Sequence, residues 1–249
     1  MSGHSKWSTI KRRKGAVDAK RGAIFTKLIK EITVAARMGG GDPAANFRLR
    51  RALDEARLSN MPADNVTRAI KKGTGELEGV SYEELVYEGV GPAGTLILCE
   101  IMTDNRNRTA AELRKMFDKH GGQLGAAGSA AWAFDAKGLI TLPTNAASEE
   151  QLFEIAVGAG AEDVVNHGEQ WLITTPVEAL EAVREALSQA KIQLESASLA
   201  KVPKTPKTIS GTDAETAVSL VESLEEHDDV QKVYTDFELS EEALQNLSQ

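Results

Sequence analysis

Two stretches of this sequence hold side chains whose types and spacing could act on an anion. The first is the opening MSGHSKWSTIKRRKGAVDAKRGAIF, where Lys11, Arg12, Arg13 and Lys14 run together, Lys20 and Arg21 follow, and His4, Lys6 and Trp7 stand just upstream. Consecutive cations neutralise phosphates, and an aromatic ring in a polar segment offers a face on which an unpaired base can stack. The second is TDNRNRTAAE, in which Asn105, Arg106, Asn107 and Arg108 open a helical pattern. Guanidinium forks beside free helix N–H groups can hold a phosphate. The same residues can instead supply an N-cap while the arginines pair with nearby carboxylates.

Other chemistries find no constellation. His4, His120, His167 and His227 fall in different segments, with no second His or Cys at ligand spacing, so no metal site is expected. No serine sits in a nucleophile elbow, and carboxylates such as Glu222, Glu225 and Glu226 take outward helix positions. Gly39, Gly40 and Gly41 have no strand before them and no Gly-Lys-Ser/Thr after them, which reads as a helix stop and joint. HGGQLGAAGSAAW, from His120, lacks a dinucleotide or phosphate-loop spacing and reads as a turn with small-residue packing. Cys99, inside TLILCEIM, reads as a buried strand residue. No enzyme, cofactor or metal is expected.

Charge narrows the partner. The chain of 249 residues carries a formal net charge of -8, but residues 1–75 hold 17 Lys and Arg against 6 Asp and Glu, leaving the remainder strongly acidic. A basic head on an acidic body is either a solvated face or the footprint of a polyanion, and only the head should touch phosphate. The expected partner is nucleic acid, either DNA or ribosomal RNA, with the ribosome itself a candidate. The basic N-terminus has no apolar run behind it and no stretch reaches the length of a membrane span, so a cytoplasmic protein with no membrane partner is expected.

These residues need elements to position them. Residues 1–16 lack periodicity and read as a basic flexible arm. Ile24, Phe25, Leu28, Ile29, Ile32, Ala35 and Ala36 recur at helical steps, with Lys27 among them. Asp42-Pro43 is expected to cap a second helix bearing Phe47, Leu49, Ala52, Leu53 and Ala56, and Pro62 a third that stops at Gly73. On the second helix Arg48, Arg51, Arg50 and Arg57 ring the axis, which gives affinity without a base-reading edge. Glycines and a proline between the first two helices argue against a helix-turn-helix.

Beyond them SYEELVYEGV and GPAGTLILCEIMT read as strands about a Gly-Pro-Ala-Gly turn, NRTAAELRKMFDKH as a helix and SAAWAFDAK as a strand. KGLITLP, SEEQLFEIAVGAG, EDVVNHG, QWLITTP, VEALEAVREALSQA and KIQLESASLAKV then alternate as the split βαβ pattern of a ferredoxin-like fold. TAVSLVESLEEHD and DVQKVYTDFEL add one helix and one strand, too little for a domain. The expected fold class is therefore α+β in three domains: a helical domain over 17–78, a discontinuous α/β domain over 79–136 plus 205–249, and an inserted ferredoxin-like (βαββαβ) domain over 137–204.

The segments SGHSKWSTIKRRK, AKRGAIFTKLIKEI, GGGDPAANFRLR, NMPADNVTRAIKKGTG, YEGVGPAG, TDNRNRTAAELR, GAEDV and DDVQKVY together resemble the YebC/PmpR family, in the family's order and over essentially the whole chain. The resemblance implies the same three domains and no enzymatic activity. Members are labelled DNA-binding transcriptional regulators, mitochondrial relatives are translational activators of cytochrome oxidase, and some bacterial relatives are ribosome-associated factors that relieve stalling on proline runs. On DNA, Lys11 to Lys14 would track phosphates; on ribosomal RNA, His4 and Trp7 would stack on unpaired bases with Lys6 beside them. A module that binds a small ligand or a protein through the ferredoxin-like domain is the alternative from another class.

Overall fold

The computed structural model describes residues 17–168 and 170–247. The arm, with His4, Lys6, Trp7, Lys11, Arg12, Arg13 and Lys14, lies outside the described residues. Two compact units are formed: one up to Ala130 together with Ser210–Val233, the other from Ala131–Ile209 and the residues from Tyr234 on.

The first unit opens with three helices: α1 (Val17–Gly39), α2 (Phe47–Leu58) and α3 (Ala63–Thr74). Leu28, Ile32, Ala35 and Ala36 of the α1 stripe pack against Leu49, Ala52, Leu53 and Ala56 of α2 and Ala69 of α3. Asp42 does not cap α2. Its carboxylate and carbonyl close the turn before it, while Asn46 is the cap, accepting from Leu49 N–H at 3.0 Å. Asn46 wins because it is buried and its amide also donates to the Ala35 and Gly40 carbonyls, at 2.8 Å each, so one side chain satisfies both helix ends. Gly73 does not stop α3 either. It lies inside the helix, where a Cβ would come 2.4 Å from the Thr33 carbonyl oxygen, and the chain turns at Gly75 with φ 85°.

Strands β1 (Glu83–Val90) and β2 (Leu96–Thr103) pair antiparallel, Tyr87 opposite Cys99, about a tight turn at Pro92–Gly94. Helix α4 (Arg106–Lys119) follows and buries Thr109, Leu113 and Phe117, and the short β3 (Gln123–Leu124) pairs with β1.

The second unit contains β4 (Phe134–Pro143), α5 (Glu149–Leu152, prolonged by a wide turn over Phe153–Val157), β5 (Asp163–Asn166), β6 (Gln170–Thr175), α6 (Leu180–Gln189) and β7 (Ser196–Pro203). Strand order β5-β6-β4-β7, antiparallel at every pairing, is ferredoxin-like. Ile140, Leu142, Trp171 and Ile173 meet Leu152, Val183 and Leu187 in its core. The separate strands expected at SAAWAFDAK and KGLITLP are one strand, β4, preceded by a single tight turn at Ala131–Ala133. Gly138 does not break it, because the missing Cβ is what admits Leu180, whose own Cβ would lie 2.8 Å away.

The chain then forms β8 (Lys207–Ile209), α7 (Gly211–Glu226), β9 (Val230–Thr235), β10 (Phe237–Leu239) and α8 (Glu241–Leu247). β9 joins the edge of β2, giving the order β3-β1-β2-β9, whereas β10 pairs parallel with β8. DVQKVYTDFEL is thus two strands, divided at Asp236. Among the described residues no helix is long and apolar enough to cross a membrane.

Candidate nucleic-acid interface

Of the cations expected at the interface, several are committed elsewhere. Lys20 and Arg21 lie in the first turns of α1. Lys27 donates to the Glu225 carbonyl at 2.5 Å, placing a positive charge at the C-terminal end of α7. Arg48 is clasped by two carboxylates: Glu31 at 2.7 and 3.0 Å and Glu84 at 3.1 and 2.6 Å. The hydrogen bonds it donates to Glu31, then those to Glu84, hold its guanidinium pKa above the ordinary arginine value. Arg51 is half-buried beside Glu55 at 3.6 Å, Arg57 pairs with Asp54 at 2.8 Å, and Arg50 lies over the Phe47 ring at 5.6 Å.

Helix α3 presents the free charge. Arg68, Lys71 and Lys72 are all exposed on the side opposite Val66, Ala69, Ile70 and Gly73, and no carboxylate among the described residues lies within ion-pairing distance of them. They were not among the residues singled out from the sequence. The signal was present, since positions 68, 71 and 72 share one face of a 3.6-residue period whose other face is apolar.

The Thr103–Arg108 stretch divides. Asn105 caps α4, accepting from Arg108 N–H at 3.1 Å, and its own N–H is donated to Thr103 Oγ1 at 3.0 Å. The Arg108 guanidinium bonds Asp229 at 3.0 Å and Asp104 at 2.7 Å, and these contacts, in that order, raise its pKa above the ordinary value. The side chains of Arg106 and Asn107 are exposed, and the Arg106 carbonyl accepts from the Tyr87 hydroxyl at 3.1 Å.

Behind this stretch lies a buried polar cluster that the sequence did not announce. Lys30 Nζ meets Asp229 Oδ1 at 2.5 Å and donates to the Asp228 and Met102 carbonyls at 2.9 and 3.3 Å, with the Tyr82 ring 5.6 Å away. Asp229 Oδ2 accepts from Thr109 at 2.7 Å, Arg108 at 3.0 Å and Thr103 at 3.1 Å. Burial alone would raise the Asp229 pKa, but the bonds from Lys30, Thr109 and Arg108 outweigh it and hold the carboxyl well below the usual range. The signal that could have found Lys30 is that α1 has two faces to bury. Lys27, Lys30, Val34 and Arg37 recur at steps of three and four on the side away from α2, and Arg37 donates to Ser81 and the Tyr82 carbonyl at 2.6 Å each.

Glu112, His227 and Asp229 bring three potential metal-ligand atoms within 4.8 Å of one another. Their lone pairs are already in use. His227 Nε2 bonds Glu112 at 2.8 Å, its Nδ1 accepts Asp229 N–H at 3.0 Å, and Lys30 and Arg108 place two positive charges against Asp229. That donor set suits a hydrogen-bond network rather than a cation. In the glycine-rich HGGQLGAAGSAAW segment, the Glu88 carboxylate takes the Gly128 and Ala130 N–H groups at 2.7 and 2.6 Å, so the loop closes on an acid of its own chain. Burial pushes the Cys99 thiol up to about 12, far from a nucleophile's range.

Comparison with known proteins agrees over the full length. Residues 5–76 match the family model for the TACO1/YebC protein N-terminal domain, and residues 82–237 that for the TACO1/YebC second and third domain. A Geobacter sulfurreducens protein named "Probable transcriptional regulatory protein GSU1074" is 55% identical over 247 residues, covering 99% of this chain and 100% of that one. A Chlorobium luteolum protein named "Probable transcriptional regulatory protein" is 52% identical over 248 residues, 99% of each chain. The crystal structure of the conserved hypothetical protein Aq1575 from Aquifex aeolicus is similar with a TM-score of 0.82 at 46% identity, over 90% of this chain and 93% of that one.

Proposed function

The chain belongs to the TACO1/YebC family, and from that premise we propose that it is a non-enzymatic regulator of gene expression that grips the phosphate backbone of nucleic acid with its basic N-terminal third. The observation that carries this reading is the segregation of charge, with 17 Lys and Arg against 6 Asp and Glu in residues 1–75 of a chain whose net charge is -8. Within that third, Arg68, Lys71 and Lys72 form an exposed, unpaired face, the form that phosphate contacts take. The relatives' name, transcriptional regulatory protein, puts duplex DNA first. The compartment proposed for this role is the cytoplasm.

A specific observation favours ribosomal RNA as the second reading. Helix α2, the one expected to carry Arg48 and Arg51, has Arg48 tied to Glu31 and Glu84 and Arg50 over Phe47, so it offers no row of side chains for a major groove. Such a protein binds by shape and charge, as translation factors on ribosomal RNA do.

The test is fluorescence anisotropy of labelled duplex DNA and labelled ribosomal RNA fragments with the whole chain across a salt series, beside the variant Arg68→Ala/Lys71→Ala/Lys72→Ala. Binding that weakens linearly with log salt, and a slope shallower in the variant by about 0.9 per lost contact on DNA, supports the reading. Absence of binding to both ligands at low salt ends it.

A further inference from the structure

Helix α5 of the second unit has an outward face that its own fold leaves uncovered. Leu152 and Ala156 are fully buried in the ferredoxin-like core, whereas Phe153 and Val157, four residues apart, lie outside that core and are 46% and 43% exposed. Both belong to the π-turn Phe153–Val157, and such turns within a helix occur frequently at functional sites. Gly158 follows in right-handed helical geometry, and a Cβ there would meet nothing within 4 Å, so the space beside Val157 is open. A Cβ on Gly160 would lie 3.3 Å from the Ala179 Cβ, which sets the end of α5 against the tight turn Val177–Ala179, whose Val177 is 41% exposed.

Acid frames these apolar groups. Residues 138–183 contain eight Asp and Glu and no Lys or Arg. The cations on either side are taken, Lys137 by Glu162 and Arg184 by Glu181, at 2.7 Å each. Glu150 and Glu154 are exposed on the same side of α5 as Phe153 and Val157, and no cation among the described residues lies within ion-pairing distance of either. Attraction to the helix N-terminus accounts for Glu149 and Glu150 in the first turn. It does not account for Glu154, a like charge four residues beyond Glu150, nor for Phe153 and Val157, where Lys, Gln or Ala would serve a solvated helix face better. Two half-exposed apolar side chains set among unpaired carboxylates are the complement of a segment that carries apolar residues among cations.

We propose that this face of α5 docks a lysine- and arginine-rich amphipathic helix of another protein, with the partner's apolar stripe on Phe153 and Val157 and its cations on Glu150 and Glu154. Burial of the two apolar side chains supplies affinity, and the carboxylates orient the partner and reject acidic competitors. Nucleic acid does not suit the face, because a run of carboxylates without a cation repels phosphate. A second copy applying the same face would set carboxylate against carboxylate. The docking face lies in the second unit and Arg68, Lys71 and Lys72 in the first, so either role can fail without the other.

The experiment measures anisotropy of a labelled Leu/Lys peptide of about 14 residues, four turns of helix with one leucine stripe, beside a scrambled peptide of the same composition and a peptide of residues 1–16 of this chain. Each is titrated with the full chain and with Phe153→Gln/Val157→Gln, Glu150→Gln/Glu154→Gln and Gly158→Lys, all checked for folding by circular dichroism melts. Gly158→Lys fits the backbone and gives Glu154 a cation of its own four residues on, so it blocks the face without touching the core. The expected result is that the striped peptide binds the wild type, more weakly as salt rises, and binds the scrambled peptide's target far better than the scrambled peptide does. Phe153→Gln/Val157→Gln should weaken it by about 30-fold, the loss that marks a hot spot. Gly158→Lys should weaken it too, and Glu150→Gln/Glu154→Gln should flatten its salt dependence. Equal binding of the scrambled peptide, no binding of the striped one, or unchanged affinity in both Phe153→Gln/Val157→Gln and Gly158→Lys overturns the proposal. So does tighter binding of the residues 1–16 peptide, which gives the face to the chain's own arm, or a dimer in sedimentation that Phe153→Gln/Val157→Gln abolishes, which gives it to a second copy.

Discussion

Lys30 of α1 and Asp229, which immediately precedes β9, meet as a buried ion pair at 2.5 Å across 199 residues of sequence. The pair ties the helical segment to the sheet within the first unit, and it is supported on the acid's other oxygen by Thr103, Thr109 and Arg108.

That asymmetry of support orders two mutants. Asp229→Ala strands the Lys30 ammonium on two carbonyls, and stranding a buried charge costs about 3–5 kcal/mol. Lys30→Ala leaves Asp229 with Arg108 and two hydroxyls, so it should destabilise less. Urea unfolding of both variants checks the order, and an equal or larger loss in Lys30→Ala contradicts it.

The same carboxyl sets a pH dependence. Asp229 ionises at lower pH in the folded chain than in the unfolded one, whose value is about 3.9. Its contribution is therefore fully present above that value and lost as pH falls from about 4 toward the folded value. The stability difference between the wild type and Asp229→Ala should stay flat from neutral pH down to about 5 and narrow below. Melting temperatures of the two proteins across that range test it.

Gly73→Ala should loosen α3 from α1. Its Cβ would lie 2.4 Å from the Thr33 carbonyl oxygen and 2.7 Å from Ala36 Cβ, so backbone must move. The gain in helix propensity, about 1 kcal/mol, is smaller than the strain of overpacking, about 1–3 kcal/mol, and a lowered melting temperature is expected.

Cys99 should resist a thiol reagent at pH 8 in the native protein and react once the chain is unfolded in guanidinium, because it is fully buried in β2 and burial pushes its thiol to about 12. Rapid labelling of the native chain would mean that β2 opens locally.

Charge removal should separate working cations from structural ones. The α3 variant lacking Arg68, Lys71 and Lys72 should melt as the wild type does and bind nucleic acid with a shallower salt slope. Arg48→Ala should lower the melting point, since Glu31 and Glu84 then face each other without their clasp, and leave the salt slope unchanged. A changed slope in Arg48→Ala places that residue on the ligand instead.

The sequence by itself determined most of the elements and the sign of the charge. Helical stripes on α1 and α2, the hairpin about Pro92–Gly94 and the ferredoxin-like alternation are periodic signals that local residue order carries in full. The family motifs were equally legible, as was the excess of cations in residues 1–75. Tertiary structure alone decided which of those cations remain available. Lys27 meets Glu225, Lys30 meets Asp229, and Arg48 meets Glu31 and Glu84, over separations of 17 to 199 residues that no periodicity encodes. It also moved the α2 cap from Asp42 to Asn46 and split the last strand at Asp236, because a cap or a strand end is settled by which buried polar groups must be satisfied from elsewhere in the fold.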